Sequence, residues 1–412
     1  MPQRPDGHLQ ERFGLLQRHR LRREALRNGQ GHIGLRQLRR LQTRLPQLQL
    51  SIAAAGTAGV GQAAEQLTTA DGYGRCTLSQ VVHLPHRPAR SIPIMRSVQY
   101  TQNGDIDQLH IAEANAPSVG PGEVRVAVRY AGLNPVDLAV IGGAFGQATG
   151  TKGNGADFSG VIDEVGEGVT DFSPGDLVFG GRPHRTQTTH LLIRDPAERL
   201  DKIPRGLGID TAGGLYIAGR TAIAGIRALA ITEGETVLVT GASGGVGIIA
   251  GQLAVNLGAR VIGTASEANH DALRNLGIEP ISYGEGLDAR LRETAPEGIA
   301  AAFSTQDEAE IKQLLRLDIP AGRINSIGAG PQVADTYGVS IAGETAAERG
   351  DLAWLAKAIA YGHVHVPVAG VFSLDEVQNA YRFLKGSHPA GKVVLRVDAD
   401  PLTNDQREFL SS

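Results

Sequence analysis

A single cysteine, Cys76, stands among 412 residues, so the chain cannot close an internal disulfide or build a cysteine-based structural zinc site. Cysteine so scarce suits a reducing compartment, and a cytoplasmic location is the expectation. No apolar run approaches eighteen residues, which gives no candidate membrane-spanning helix. Aromatic residues make up only 4% of the chain, and no aromatic framework accompanies its basic stretches, so a nucleic-acid partner is not expected. What is abundant is glycine, 54 residues, beside many Ala and Val. That is the composition of an α/β protein whose helices sit close against a parallel sheet.

Lysine is absent from residues 1–94, which hold 14 arginines and five carboxylates, whereas the remainder carries a net charge of −12. Such a change of sign marks a boundary. The stretch "RHRLRREALRNGQGHIGLRQLRRLQTRLPQLQL" has Gly and Pro interrupting any helical face, and "SIAAAGTAGVGQAAEQ" offers no apolar stripe. A basic arm and a transit peptide are both compatible with it. The only methionines are Met1 and Met95, and strand-like text begins at Met95. Residues 1–94 are therefore expected to be a disordered or mis-assigned extension.

After Met95 the pattern is legible. In "EVRVAVRYAGLN" (123–134), Val124, Val126 and Val128 share one face of a period-two strand. "DFSGVIDEVGEGVTDFSPGDLVFG" (157–180) reads as two strands joined by turns, with Ser173-Pro174-Gly175-Asp176 a turn signal. Further on, "TVLVT" (236–240) is a buried parallel strand. "GASGGVGIIAGQLAVNLG" then enters a helix with Val246, Ile249, Ala250, Leu253, Ala254 and Leu257 at helical spacing. Glycines there let the backbone approach a diphosphate, whose charge is met by amides at the helix N-terminus. The nucleotide-contacting set is Ser243, Gly244, Gly245, Val246 and Gly247. Strand, loop, helix and the next strand "RVIGT" together carry the signal.

Thr240-Gly241 to Gly247 also fits the TGxxxGxG signature of short-chain dehydrogenases, and "YRFLK" supplies a Tyr381/Lys385 spacing such enzymes use. But Leu374, Val377, Tyr381 and Leu384 form one apolar helix face, opened by Ser373 with Glu376 in capping-box register. Tyr381 is accordingly expected in the core.

"YAGLNPVDL", "GADFSGVIDEVGEGV", "FSPGDLVFG" and "LVTGASGGVG" occur in the order and spacing of the medium-chain dehydrogenase/reductase superfamily. The chain resembles its zinc-free, quinone oxidoreductase-like (enoyl reductase-type) branch from Met95 to Val397. The resemblance implies an α/β fold, with a Rossmann doubly wound parallel sheet and a GroES-like β-rich substrate domain. Its expected bounds are 95–216 for the GroES-like part and 217–361 for the Rossmann part, a return to the first over 362–400, and a tail at 401–412. Zinc-dependent relatives use a cysteine and a histidine where Ala131 and Ala156 stand here. A methyl group cannot ligate a metal, so a zinc-independent enzyme is expected.

By position, the resemblance places Asn134 and Asp137 of "GLNPVD" at the catalytic cleft. Thr221, Tyr283, Ser304, Thr305, Ser326, Ile327 and Lys392 fall at cofactor-contacting positions. A turn-forming Asn134, a helix-capping Asp137 and a solvated strand-end Lys392 are the structural alternatives. At the end of "VIGTA" stands Ala265 and not a carboxylate, with Ser266 and Asn269 nearby, which favours NADPH over NADH. Quinone-reducing relatives often carry a tyrosine after "NPxD", and here Phe145 lies in that loop. The expected activity is NADPH-dependent hydride transfer to a quinone or an activated C=C of a small molecule. A non-catalytic NADPH-binding protein of the same fold is the alternative. No membrane partner is expected, and a homodimer is implied by resemblance.

Overall fold

A computed structural model describes residues 92–397 and 402–411, all within one compact unit. The expected extension over residues 1–94 lies almost wholly outside the described residues.

The strands, in chain order, are β1 (Ile94–Tyr100), β2 (His110–Asn115), β3 (Glu123–Leu133), β4 (Lys152–Gly153) and β5 (Asp157–Val165). They continue with β6 (Leu177–Gly181), β7 (His190–Arg194), β8 (Leu200–Lys202), β9 (Thr236–Val239) and β10 (Arg260–Ala265). The last are β11 (Ile278–Ser282), β12 (Ala301–Ser304), β13 (Ile324–Ser326), β14 (Val368–Ser373) and β15 (Lys392–Arg396).

Two architectures result. The first is a seven-stranded, largely antiparallel sheet in the order β14-β15-β3-β5-β6-β8, with β7 also paired to β3, flanked by a small β2-β1-β4 sheet. Its core gathers Val124, Val126, Val128, Phe158, Ile162 and Val178 from the inward faces of the alternating strands, with Tyr381 from the helix Val377–Gly386. The second is a five-stranded sheet in the order β11-β10-β9-β12-β13, parallel throughout. Along β9, Val237 and Val239 pack into one apolar layer and Leu238 into another, so the sheet is covered on both faces. This is a Rossmann-type sheet joined to a GroES-like domain, and β14 and β15 return from the C-terminal part to the latter.

The helix Gly245–Asn256 is buried more completely than an amphipathic stripe requires. Gly247, Ile248, Gly251 and Gln252 are enclosed as well as the expected Ile249, Ala250, Leu253 and Ala254. It packs on the parallel sheet beside the helix Tyr216–Ala228, all in one core, and the small residues let these surfaces meet. Among the described residues, no helix is long and apolar enough to cross a membrane.

Candidate active site

The glycine loop follows β9 and is tied to the neighbouring strand. Gly241 N donates to Thr264 Oγ1 at 3.0 Å, and Ala242 N to the Thr264 carbonyl at 2.9 Å. The helix Gly245–Asn256 then starts from Gly244 with no side chain capping its first amides, which leaves backbone donors for an anion. Gly247 must be glycine, because a methyl group there would fall 2.2 Å from the Gly241 carbonyl oxygen. Gly244 is different. Its only neighbour within reach would be that same oxygen at 3.4 Å, so its outer side is open. The cradle fits a diphosphate.

The glycine loop is stitched to the strand that carries Lys392. Gly391 N donates to the Ser243 carbonyl at 2.9 Å. Gly391 has φ +106, and a Cβ there would strike the Pro367 carbonyl. Next to it, the stem of Lys392 runs past Gly245 and Gly214. Its ammonium donates to the Leu133 carbonyl at 2.9 Å and to Asn134 Oδ1 at 2.6 Å. It also lies 3.6 Å from Asp157 Oδ2. Lys392 is 4% exposed and Asp157 fully buried, so the strand-end lysine is not solvated. Because the ammonium holds Oδ1, the Asn134 amide has only one sensible orientation. That leaves its Nδ2 buried and without a partner, a donor available to a ligand.

Asn134 is positioned from below by Asp137, whose Oδ2 accepts from the Asn134 backbone N–H at 2.9 Å. The same Oδ2 accepts from the Tyr381 hydroxyl at 2.9 Å. The hydroxyl in turn accepts from Asn154 Nδ2 at 2.9 Å and Gln187 Nε2 at 2.7 Å. Burial, with the nearby Asp157 charge adding to it, raises the Asp137 carboxyl to about 7 against the opposing hydrogen bonds. Burial pushes the Tyr381 phenol well above its usual range. Lys385 plays no part here, since it is largely exposed and 3.7 Å from Asp105. Tyr381 is a core residue, as its helix face suggests, and the short-chain Tyr/Lys arrangement is absent.

The remaining nucleotide-site candidates gather mostly at the C-terminal ends of the parallel strands. Ser266 follows β10, and Asn269 reaches back to donate to Ser243 Oγ at 3.1 Å. Val246 is half-buried in the first turn of the glycine-loop helix. Tyr283 follows β11 and is exposed. Ser304 and Ser326 end β12 and β13, but both hydroxyls are engaged within the protein. Ser304 Oγ donates to Glu310 Oε2 at 2.5 Å, and Ser326 Oγ to the Gln306 carbonyl at 3.1 Å. Thr305 Oγ1 donates to the Thr240 carbonyl at 3.1 Å, and Ile327 N to the Ser304 carbonyl at 3.0 Å. Thr221 is buried in the helix Tyr216–Ala228.

Sequence reasoning missed Asp157, Asn154, Gln187, Glu310 and the hydroxyl role of Tyr381. Each acts through a partner distant in the chain. Only the Asn134/Asp137 pair carries a local signal, a cap residue with an acid three positions on.

A metal does not fit this site. Ala131 and Ala156 are both buried, and among the described residues no group of three or more His, Cys, Asp or Glu could hold an ion.

Comparison with known proteins agrees with this fold. The alcohol dehydrogenase GroES-like domain family matches residues 120–216, and the zinc-binding dehydrogenase family matches residues 276–395. The chain is 30% identical over 319 residues to the acryloyl-coenzyme A reductase of Metallosphaera sedula, covering 69% of this chain and 95% of that one. It is 32% identical over 317 residues to the spectinabilin polyketide synthase system protein NorB of Streptomyces orinoci, spanning 71% of this chain but only 14% of that protein. Among solved structures, the quinone oxidoreductase from Coxiella burnetii aligns with a TM-score of 0.65 at 23% identity, covering 74% of this chain and all of that one. The Escherichia coli quinone oxidoreductase complexed with NADPH aligns equally well, with a TM-score of 0.65 at 22% identity over 73% of this chain and 99% of that one. The chain belongs to the medium-chain dehydrogenase/reductase superfamily. It is an oxidoreductase of that superfamily, with the fold of its quinone oxidoreductases.

Proposed function

We propose that the chain is an NADPH-dependent, metal-independent reductase that saturates a C=C bond conjugated to a carbonyl, with a quinone as the other acceptor of the same chemistry. The observation that carries this reading is the buried, unpartnered Asn134 Nδ2, held beside the glycine loop by Lys392. Bound at the glycine loop, NADPH would supply the hydride.

The chain's own residues would do the rest. When an enone, enal or enoyl thioester is reduced at its β carbon, negative charge collects on the carbonyl oxygen. Asn134 Nδ2 can donate to that oxygen. Lys392, bonded to the opposite end of the amide, polarises it and makes Nδ2 a stronger donor. Asp137 fixes the Asn134 backbone, and Tyr381 fixes Asp137. The enolate needs no strong enzyme acid, since water can protonate it. An unactivated ketone would need a Lewis acid or a strong proton donor, and neither Ala131 nor Ala156 can hold a metal to provide one. Similarity to an acryloyl-coenzyme A reductase supports placing the α,β-unsaturated thioester in the substrate class. Ser266 and Asn269, with Ala265 in place of a carboxylate, support NADPH over NADH.

The test is coenzyme oxidation by the purified chain with an enoyl thioester, an enone and a quinone, each with NADPH and with NADH. Turnover of at least one acceptor, faster with NADPH and unchanged by a chelator, is expected. NADPH binding without turnover of any acceptor would mark a non-catalytic binding protein instead.

A further inference from the structure

A cavity lies in the β-rich part, between β1, β4, β7 and the segment after β6. It is open on one side and has a volume of about 730 Å³, within the range of small-molecule sites. Its described lining holds Lys152, Arg182, Arg185 and Arg194, with His184 and His190, and no carboxylate. Arg194 is paired with Glu123 at 2.8 Å, and Arg182 donates to the Leu192 carbonyl. Neither Lys152 nor Arg185 has an ion-pair partner among the described residues. Lys152 and Arg185, which lack such a partner, repel the neighbouring cations, and a bound anion would relieve that repulsion. Burial first, and then the nearby Arg185, Arg199 and Arg194, hold the Arg182 guanidinium pKa below its usual range, with Glu123 opposing them. His184 is lowered by burial, Lys152 and Arg185. Moreover, His184 adopts φ +62, a left-handed conformation costly for a side chain of its size.

The remaining walls say what else the ligand carries. Ser97, Gln99 and Thr188 add neutral hydrogen-bonding groups, while Val98 and Leu191 add apolar surface. The guanidinium groups suit the oxygen geometry of phosphate. We propose that this cavity binds a small organic molecule bearing a phosphate or diphosphate group, at a site separate from the glycine loop. The inference does not depend on the reductase reading, since none of these cations belongs to the Asn134 constellation.

Phenyl phosphate is the probe, titrated calorimetrically into the full chain with and without saturating NADP⁺. Saturable binding that persists with NADP⁺ is expected. It should weaken about ten-fold in Lys152→Gln/Arg185→Gln, which removes two charge-assisted contacts. Both positions are accessible, and a thermal melt of the double variant confirms that the fold is kept. Benzyl alcohol, which lacks the charge, should not bind. Absence of phenyl phosphate binding overturns the proposal. So does binding that NADP⁺ abolishes, or that the double substitution leaves intact, because the anion then sits elsewhere.

Discussion

The Tyr381 hydroxyl donates to Oδ2 of Asp137 across 2.9 Å, joining residues 244 positions apart in the sequence. The phenol is a structural support for the carboxylate and not a proton donor to substrate. Tyr381→Phe would take an acceptor from the buried Gln187 Nε2 and from Asn154 Nδ2, which keeps only its bond to Gln187 Oε1. A loss of about 1–3 kcal/mol in a urea melt is expected, with turnover reduced but not abolished. Complete loss of turnover in a folded variant would give Tyr381 a direct chemical role.

Asp137 makes stability depend on pH. Its carboxyl is raised to about 7, so the folded chain holds a proton that the unfolded chain has already released. Its contribution is fully present below the ordinary carboxyl range and fades as pH rises towards 7, at most about 1.4 kcal/mol per pH unit. Both hydrogen bonds land on Oδ2, so the oxygen of an amide can replace them. Asp137→Asn should therefore gain stability relative to the wild type as pH rises from about 4 to about 7. Urea midpoints of the two proteins measured across that range check it, and parallel curves would refute it.

Lys392 and Asp157 form a buried pair at 3.6 Å. Lys392→Met strands the Asp157 carboxylate and should cost about 3–5 kcal/mol. Lys392→Met/Asp157→Asn should regain most of that stability in a thermal melt but not the rate, because Asn134 Oδ1 still lacks its ammonium. Recovery of kcat by the double variant would show that Lys392 matters only for folding.

The glycine loop separates packing from binding. Gly247→Ala drives a methyl group into the Gly241 carbonyl, and loss of the folded domain is expected by circular dichroism. Gly244→Ala meets nothing closer than 3.4 Å and should keep wild-type stability. Its methyl group would stand where the diphosphate approaches, and NADPH affinity should fall about ten-fold or more. Unchanged affinity would move the diphosphate away from this turn.

Much of the fold was legible in the chain itself. Alternation in "EVRVAVRY", the apolar run "TVLV" and the glycine turn into a helix are local patterns, and local sterics and burial settle them. Ala131 and Ala156 stand where the family resemblance puts zinc ligands, and a methyl group cannot ligate a metal. The Asn134/Asp137 cap was readable for the same reason, since both partners lie within one turn.

Tertiary structure alone decided which candidates act together. It buried Lys392 against Asp157, left Asn134 Nδ2 free, turned the Ser304 and Ser326 hydroxyls towards the protein, and gathered Lys152 and Arg185 around one cavity. Desolvation and charge pairing depend on what lies within a few ångströms, and those neighbours come from strands far apart in sequence. The sequence thus set the class of oxidoreductase, while the partners of its polar groups were chosen by the way the two sheets are joined.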